Sequence, residues 1–448
     1  MPFLTIVDCT PNYNAKQAVD CIESSARRAQ TSERDVAHTV ARFGTPLLVI
    51  DERRLRATMR RFRAAFNRTG WRCDVVYAAK ALALKAIARV THEEGLALDV
   101  CSEGELETAM RAGVPAARCI LHGCAKTDRE LELAVQTGAG FVVLDHRREI
   151  DVLARIARQA GRQTPVLVRV NPGVSAATKS QVQTGAPESK FGFPISDGQA
   201  IDAIQRVRES QALEFHGIHC HIGSQITELA SYALEIERLA DFAARVEREL
   251  ATRCSIINLG GGLGIAQGDD ETGAPTPEAW ASAIFTQLER RFADGAQPRP
   301  QLMVEPGRAI VARAGTTLYT IVVRKDLADG TVALIVDGGM SDNPRPALYE
   351  ATYPVTIASR NDNAADGRYT IFGRHCETDL LFRNVSLANP QPGDILEVRN
   401  TGAYTYSMAS NYNRFPRPAV VLIDGERARL IARREPLEHL LDLDVLDE

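Results

Sequence analysis

The sequence predicts an α/β protein in which a parallel (β/α)8 barrel of the TIM-like type is followed by a mostly antiparallel β domain. From about residue 46 to residue 310, short apolar runs alternate with stretches whose apolar residues lie three and four apart, which is typical of β/α units. After Gly315 the apolar runs continue without long helical stretches between them, and this favours an antiparallel sheet. With 448 residues, the chain is long enough for both domains.

Eight of the apolar runs are candidates for the barrel strands. They are almost continuous in apolarity, as expected for parallel strands that are buried on both faces. The predicted strands are 47–50, 75–77, 96–100, 141–144, 166–170, 215–219, 255–259 and 301–304. The clearest helical patterns between them are 105–112, 148–160 and 231–249.

The remaining segments complete the predicted division of the chain. Residues 43–315 are predicted to form the barrel and residues 316–448 the C-terminal β domain, while residues 1–42 are interpreted as an N-terminal extension that contributes to the β domain. The stretch 268–277 contains Gly, Pro and acidic residues and is predicted to be an exposed loop. The β-rich runs of the second domain are 316–324, 332–336, 369–372, 395–399 and 419–423.

The composition is that of an ordinary soluble globular protein, with 45% hydrophobic and 25% charged residues. The net charge of -4 gives no electrostatic signature for nucleic acid or acidic membranes, and no apolar run approaches the roughly 20 residues that span a bilayer. The N-terminus has neither a basic region nor a sustained apolar one, so export is not expected. Nine cysteines without framework or zinc-ligand spacing predict reduced thiols, a cytoplasmic location and no structural metal.

Lys80 is the first candidate for a catalytic residue, because it closes the apolar segment that begins with the run 75–77. A lysine buried at the end of a strand is costly to ionise, so its amine is expected to be neutral and nucleophilic. Such an amine can form a Schiff base with an aldehyde cofactor. For this segment alone, a lysine that merely extends its amine towards solvent is the commoner case, and only the other strand ends favour catalysis.

Four further strand ends carry residues suited to the same chemistry. Asp99 ends one predicted strand and His221 follows another, whereas the segments 260–264 (GGGLG) and 305–308 (EPGR) follow two more. In an eight-stranded barrel the reacting groups lie at the C-terminal ends of the strands. The sequence therefore predicts that these residues meet at one end of the barrel.

The triple glycine at 260–262 is a candidate phosphate site. Glycines let the backbone approach an anion closely and point several N–H groups at it, and Ser224 offers a hydroxyl donor. A simple packing turn is about as common an explanation for three glycines after a strand.

Glu305 is the candidate for controlling the electronic state of a cofactor. A carboxylate beside the ring nitrogen of pyridoxal phosphate keeps that nitrogen protonated and makes the ring a strong electron sink, which the loss of carbon dioxide requires. An ion pair with Arg308 is the alternative. The imidazole of His221 can stack on the cofactor ring, although a histidine near a strand end is more often a hydrogen-bonded core residue.

The second domain contributes candidates for substrate binding and proton transfer. Arg308 of the barrel and Arg345 can hold a carboxylate bidentately, although surface ion pairs are the commoner role of any one arginine. Cys376 can deliver a proton to a carbanion, because thiols titrate near the working pH. An inert thiol is the usual alternative.

Seven motifs, taken in order, resemble those of the fold type III pyridoxal phosphate decarboxylases, and within them the diaminopimelate decarboxylases. The resemblance covers about four fifths of the chain, from Phe43 to Pro418. It implies an alanine racemase-like fold type III protein, a barrel plus a β domain, with pyridoxal 5'-phosphate as cofactor. The motifs are YAAKA, LDVCSEGELE, HCHIGSQI, INLGGGLGI, VEPGRAIVARAG, DGGMSDNPRPALYEA and GAYTYSMASNYN.

The resemblance also implies a role for each matching residue. The catalytic residues are Lys80, which binds the cofactor covalently, and Cys376, which protonates the α-carbon after carbon dioxide leaves. Cys376 and Glu377 are implied to enter the site from the neighbouring subunit, so a homodimer is expected. The implied cofactor-binding residues are Lys80, Asp99, His221, Ser224, Gly261, Gly262, Glu305, Gly307, Arg308 and Tyr404. The implied substrate-binding residues are Arg308, Arg345, Tyr349, Glu377 and Tyr404.

The reaction implied by the resemblance is decarboxylation of meso-2,6-diaminopimelate to L-lysine. Two segments depart from the family pattern: Asp379 follows Thr378 directly where the family has one small residue between, and the N-terminal segment from Met1 to Val40 matches the usual entry strand poorly. A related decarboxylase that acts on another amino acid, or on an intermediate of siderophore or antibiotic assembly, is therefore an alternative. Glu305 disfavours a racemase, and the presence of Lys80, Glu305 and Cys376 together disfavours a non-catalytic binding protein on the same scaffold.

Overall fold

The computed structural model describes residues 33–175, 184–186, 188–266, 268, 273–292, 298–359, 365–425 and 427–446. Of the predicted N-terminal extension, only helix α1 (Glu33–Phe43) lies within the described residues. Residues 269–272 of the predicted loop at 268–277 lie outside them as well.

Eight parallel strands form a closed barrel, as the sequence predicts; strand β1 (Leu47–Asp51) is not part of it. The barrel strands are β2 (Cys73–Ala78), β3 (Ala97–Val100), β4 (Cys119–Leu121), β5 (Phe141–Leu144), β6 (Thr164–Asn171), β8 (Leu213–His219), β9 (Ile256–Asn258) and β10 (Gln301–Val304), and the two-residue strand β7 (Phe193–Pro194) pairs with β6. The eight strands pair in this order, and β10 pairs with β2 to close the ring.

Helices connect the barrel strands, and several of them begin at residues whose side chains cap them. Ser102, Thr127 and Thr276 each accept a hydrogen bond from the backbone N–H three residues later, which satisfies an otherwise unpaired donor. The three predicted helices are confirmed at Glu103–Arg111, Arg147–Gln159 and Ala230–Leu250. The helices are α2 (Glu52–Ala65), α3 (Lys85–Glu93), α4 (Glu103–Arg111), α5 (Asp128–Thr137), α6 (Arg147–Gln159), α7 (Gln199–Glu209), α8 (Ala230–Leu250), α9 (Pro277–Arg291) and α10 (Arg308–Val311). Within the described residues, no helix combines the length and the hydrophobicity that a bilayer span requires.

The prediction is wrong for one barrel strand and misses another. The run 47–50 lies in β1, which pairs with strands of the second sheet instead of the barrel. The barrel strand that the sequence analysis missed is β4. β1 is apolar and leads directly into α2, so its hydrophobic pattern cannot be distinguished from that of a barrel β/α unit. β4 has only three residues, too few to show a pattern.

The second sheet is mostly antiparallel, as predicted. Together with β1 it has nine strands. Among the described strands only two pairs are parallel, which are β1 with Ala419–Asp424 and Val332–Val336 with Gly367–Phe372. Its other strands are β11 (Gly315–Asp326), β12 (Val332–Val336), β13 (Val355–Ile357), β14 (Gly367–Phe372), β15 (Leu380–Leu387), β16 (Ile395–Arg399), β17 (Ala419–Asp424) and β18 (Arg427–Ala432). Two short helices, α11 (Arg345–Tyr349) and α12 (Leu437–Leu441), complete the domain. The sequence did not predict β13, β15 and β18.

The barrel has a packed interior, so it offers no channel along its axis. Strand residues alone form a separate buried cluster, which comprises Val76, Ile120, Phe141, Val143, Leu167, Ile256 and Met303. A larger cluster joins the outer faces of the strands to the helices and includes the fully buried Trp280. Because the interior is filled, a binding site must lie where the strands end.

Glu235 on α8 is a buried carboxyl group whose titration we expect to affect stability. Neither carboxyl oxygen forms a hydrogen bond of good geometry within the described residues, and the thiol of Cys220 lies near it. Burial raises the pKa of Glu235 from 4.5 to about 8. Between these values the folded protein keeps a proton that the unfolded chain has lost, so the free energy of unfolding falls by about 1.4 kcal/mol per pH unit as the pH rises.

Glu235→Gln stays neutral at every pH and is therefore expected to remove this slope. Urea unfolding of the wild type and the variant between pH 5 and pH 8 measures the difference. The exposed Glu237, two residues further along the same helix, provides the control Glu237→Gln. Equal slopes for the wild type and Glu235→Gln would show that Glu235 ionises normally.

Candidate active site

Most of the predicted cofactor-binding residues line one pocket at the C-terminal ends of the barrel strands. All of its lining residues come from the barrel region except Tyr404, which the second domain contributes. Lys80 follows β2, His221 follows β8 and Glu305 follows β10. The lining residues are Ala78, Lys80, His221, Ser224, Gly261, Gly262, Leu263, Glu305, Gly307, Arg308 and Tyr404.

The amine of Lys80 donates a hydrogen bond to Asp99 Oδ2 at 2.5 Å. Asp99 is fully buried on β3, where the strand register places it beside Ala78. Burial by itself lowers the pKa of Lys80, but the negative groups around it, of which Asp99 contributes most, together more than offset this, and the pKa is raised well above its usual value. The expectation of a neutral amine is therefore wrong, because the neighbouring strand supplies a carboxylate that keeps Lys80 charged.

Glu305 is a buried carboxylate surrounded by three polar side chains. Its Oε1 accepts a hydrogen bond from Asn258 Nδ2 at 2.7 Å and lies 3.0 Å from His122 Nε2, while its Oε2 lies 3.2 Å from His219 Nε2. Burial alone would raise the pKa of Glu305, but His122 and His219 hold it well below its usual range. The side chain that lines the pocket is therefore ionised at neutral pH.

The imidazole of His219 contributes to this stabilisation as a hydrogen-bond donor, 3.2 Å from Glu305 Oε2. Burial lowers the pKa of His219 to about 4, which makes this ring neutral at pH 7. A neutral ring can still donate its Nε2 proton to the carboxylate, as the Asn258 amide does. The ligand atoms of His122, His219 and Glu305 lie within 4.8 Å of one another and could also coordinate a metal ion, so the expectation of no metal stays a prediction.

His221 is a neutral imidazole whose tautomer is set by the backbone. Burial, with the charges of Lys80 and Arg169, holds the pKa of His221 well below its usual value. The Gly261 N–H donates to His221 Nδ1 at 3.2 Å, which leaves the ring proton on Nε2. This contact fixes the orientation of the ring at the pocket wall.

The triple glycine brings three strand ends into close contact. A Cβ at Gly261 would lie 2.0 Å from the Glu305 carbonyl oxygen, and one at Gly262 would lie 2.3 Å from the Gly223 carbonyl oxygen. Gly262 also has a φ of +105°, a conformation that side chains disfavour. The glycines are therefore required by a tight packing turn, and because Gly261 and Gly262 also line the pocket, the phosphate site stays a prediction.

Two arginines approach the pocket without a negative partner. Arg308 Nη2 donates to Ser224 Oγ at 3.1 Å, its Nε is buried without a hydrogen-bond partner, and its guanidinium lies over the Tyr404 ring. Arg345 lies over the rings of Tyr349 and Tyr404. Burial, with the charge of Arg345, lowers the pKa of Arg308 to about 10. No carboxylate of the described residues pairs with either arginine, so the site is suited to an anionic ligand.

Cys376 and Glu377 do not line this pocket. Cys376 is exposed, and Glu377 Oε1 accepts a hydrogen bond from the Tyr412 hydroxyl at 2.8 Å. A single chain thus brings together the residues predicted to bind the cofactor, and leaves the predicted proton donor on a different surface.

Sequence reasoning missed His122, His219 and Asn258, the three partners of Glu305. His122 follows β4, the strand that the hydrophobic pattern did not reveal. His219 and Asn258 were placed in strands but were given no role. The sequence feature that could have identified them is a polar residue at the end of an otherwise apolar strand, because a buried polar group there requires a hydrogen-bond partner.

The residues of the pocket fit pyridoxal phosphate. Lys80 offers an amine for the aldehyde, and Glu305 offers an ionised carboxylate for the ring nitrogen. Arg308, with its unpartnered Nε, and Ser224 offer donors for the phosphate. Within the described part of the chain, the two arginines in particular lack the counter-charge that an anionic group would supply.

Comparison with known proteins gives a consistent result. The family model for the pyridoxal-dependent decarboxylase, pyridoxal binding domain, matches residues 52–312. The diaminopimelate decarboxylase of Bacillus subtilis (strain 168) is 39% identical over 412 residues, which are 92% of this chain and 94% of that protein. The diaminopimelate decarboxylase of Mycobacterium leprae is 42% identical over 413 residues, which are 90% of this chain and 87% of that protein.

Solved structures resemble the fold equally well. The diaminopimelate decarboxylase of M. jannaschii, solved in complex with L-lysine, superimposes with a TM-score of 0.86 at 32% identity, over 92% of this chain and 94% of that one. The Helicobacter pylori diaminopimelate decarboxylase, also complexed with L-lysine, gives a TM-score of 0.81 at 27% identity, over 89% of this chain and 96% of that one.

Proposed function

This chain belongs to the pyridoxal-dependent decarboxylase family, and we propose that it converts meso-2,6-diaminopimelate to L-lysine and carbon dioxide. The resemblance inferred from the sequence motifs is confirmed by relatives that share about two fifths of their residues over nine tenths of the chain. The protein is accordingly a carboxy-lyase with pyridoxal 5'-phosphate as cofactor. The observation that carries the proposal is one pocket that combines Lys80, the ionised Glu305 and an Arg308 whose buried Nε has no hydrogen-bond partner among the described residues.

The bound cofactor supplies an electron sink for the electron pair that remains when the carboxylate leaves as carbon dioxide. Lys80 is the residue proposed to hold it covalently. Because Lys80 is an ammonium ion in this pocket, its amine must lose a proton before it can react. Asp99, at 2.5 Å, is placed to accept that proton.

Glu305 is proposed to face the pyridine nitrogen and to keep it protonated. Its two histidine partners and Asn258 hold the carboxylate in its ionised form and fix its direction. This charge is therefore maintained on a buried side chain. His221, held by Gly261, is proposed to support the face of the ring.

Arg308, Ser224, Gly261 and Gly262 are proposed to bind the phosphate. Arg345, Tyr349 and Glu377 are proposed to hold the distal amino-acid end of the substrate. Arg308 and Tyr404 are proposed to contact both cofactor and substrate, because the Tyr404 ring packs against the guanidinium groups of Arg308 and Arg345. Arg345 fits this role because it lies near the pocket without a carboxylate partner among the described residues. A distal carboxylate of the substrate would supply that partner.

We further propose that the protein acts as a cytoplasmic homodimer, in which Cys376 and Glu377 reach the pocket of the neighbouring subunit. The exposed position of Cys376, away from the pocket of its own chain, supports this assignment. Cys376 would then return a proton to the α-carbon after carbon dioxide has left. The free thiols at 73, 101, 119, 124, 220, 254 and 376 fit a reducing compartment.

The proposed substrate is tested by measuring carbon dioxide release from meso-diaminopimelate, L- and D-lysine, and L- and D-ornithine. Release from meso-diaminopimelate is expected to exceed the others by at least about 100-fold in kcat/KM, because only this substrate carries a distal carboxylate for Arg345. Arg345→Gln should lower kcat/KM for meso-diaminopimelate by a similar factor.

Arg324→Gln provides the matched control, because Arg324 also lies over a tyrosine ring of the second domain and its neighbours are outside the pocket. Its kcat/KM is expected to stay within about twofold of the wild type. Faster release from any other amino acid of the panel would reject diaminopimelate as the substrate.

A further inference from the structure

The segment that carries Cys376 and Glu377 forms a short closed turn. Gly373 N–H donates to the Asp379 carbonyl oxygen at 2.8 Å, so the two ends of the turn meet. Arg374 N–H donates to the Gly338 carbonyl oxygen at 3.0 Å, which ties the turn to the end of β12. Cys376 lies at the exposed tip.

Asp379 anchors this turn from the inside. Its Oδ2 accepts a hydrogen bond from the His375 backbone N–H at 3.1 Å and lies 2.5 Å from His375 Nδ1, while its Oδ1 accepts from the Met340 N–H at 2.8 Å. A Cβ at Gly339 or Gly373 would lie 2.2 or 1.9 Å from Asp379 Oδ2. Two glycines thus provide the space that the buried carboxylate occupies.

The backbone of Asp379 adopts an unfavourable conformation to make these contacts. Its φ is +41°, a conformation that is unfavourable for a residue with a Cβ. A strained residue of this kind persists only where its surroundings hold it, and here three donors converge on its side chain. The strain therefore marks Asp379 as a fixed point of the turn.

The outer side of the turn is held by the segment 412–415. The Tyr412 ring stacks on the buried His375 ring at 5.7 Å between centroids, with an angle of 13°. Tyr412 also donates its hydroxyl proton to Glu377 Oε1 at 2.8 Å, and Asn413 Oδ1 accepts from the Cys376 N–H at 3.0 Å. Each of the two residues proposed to act in the second subunit is thus held by its own hydrogen bond.

We propose that His375, Asp379 and Tyr412 are positioning residues that present Cys376 and Glu377 to the pocket of a second copy of the chain. This inference rests on the proposed function, and it gives a role to the turn that is one residue shorter than the family pattern. The buried contact between His375 and Asp379 locks the backbone on both sides of Cys376. A thiol that must protonate one face of a carbon requires such a fixed orientation.

A double-mutant cycle tests this role. Asp379→Asn keeps the shape but loses the acceptor that receives the His375 N–H groups, and it is expected to lower kcat at least about tenfold. Cys376→Ala should lower kcat as well. If Asp379 acts through Cys376, Asp379→Asn in the Cys376→Ala background should change kcat by less than about twofold.

Asp366→Asn is the matched control, because Asp366 also accepts a backbone N–H and a side-chain proton in the second domain but lies outside the turn. Its kcat should equal that of the wild type. Cys376→Ala with undiminished kcat would reject the proposed role of Cys376. If Cys376→Ala is impaired, two results would reject the positioning role alone. One is a loss of kcat in the double variant equal to the product of the two single losses, and the other is a normal kcat for Asp379→Asn.

Tyr412→Phe tests the same unit without disturbing the buried pair, so it stays informative if Asp379→Asn does not fold. It removes one hydroxyl from a ring that is 38% exposed. The loss of the hydrogen bond to Glu377 is expected to raise KM for meso-diaminopimelate about three- to tenfold and to leave kcat within about twofold. An unchanged KM would contradict the inference.

Discussion

Lys80→Ala is expected to abolish decarboxylation, with a loss of at least about 10³-fold in kcat, and to remove the visible absorbance of the covalently held cofactor. The reason is that Lys80 is the one lysine among the residues that line the pocket. Borohydride reduction followed by peptide mapping should label Lys80 in the wild type. A label on another lysine, or an active Lys80→Ala variant, would reject the assignment.

The same variant provides a test of the shared active site. Lys80→Ala and Cys376→Ala are each expected to be impaired alone. If Cys376 acts in the neighbouring subunit, half of the randomly mixed dimers contain one intact site, so the mixture should recover about a quarter of the wild-type activity. Activity that does not rise on mixing would place both residues in the same subunit or exclude the dimer.

Glu305→Gln is expected to lower kcat by about 10²- to 10³-fold and to leave the barrel folded. The amide preserves the size of the side chain, but it carries no charge with which to keep a pyridine nitrogen protonated. The amide also places an N–H₂ donor next to Asn258 and His219, which themselves donate hydrogen bonds to Glu305 in the wild type. Absorbance of the purified variant should show that the cofactor is still bound.

Glu94→Gln is the matched control for this charge change. Glu94 is a buried carboxylate of the barrel that pairs with Arg56 and Arg60, and it does not line the pocket. Its variant is expected to lose stability, because Arg56 and Arg60 lose a partner, and to keep kcat within about twofold of the wild type. A Glu305→Gln variant with normal kcat would reject the role of Glu305 in the reaction.

The sequence was informative about the barrel because both of its signals are local. Apolar runs and helical periodicity identified seven of the eight barrel strands, and the rule that barrel sites lie at the C-terminal strand ends brought Lys80, His221 and Glu305 to one place. The pocket contains all three. The motif resemblance then supplied the cofactor and the reaction, which the family membership confirms.

The local hydrophobic pattern was insufficient wherever strand pairing or a residue distant in the sequence determined the position of a strand or the contacts of a side chain. β1 has the same local pattern as a barrel strand, yet it pairs with β11 and β17, which lie more than 250 residues further along the chain. The short β4 concealed His122, and with it one side of the contacts around Glu305. No local pattern reports which strands become neighbours.

The amino-acid sequence by itself determined the succession of strands and helices, the chemical groups at the strand ends and the family to which they belong. Only the tertiary structure decided the charge states of those groups. Lys80 is charged because β3 places Asp99 beside it, and Glu305 is ionised because β4, β8 and β9 end around it. Electrostatic interactions in a buried site depend on distances of a few ångströms between residues that are far apart in the chain, and folding sets those distances.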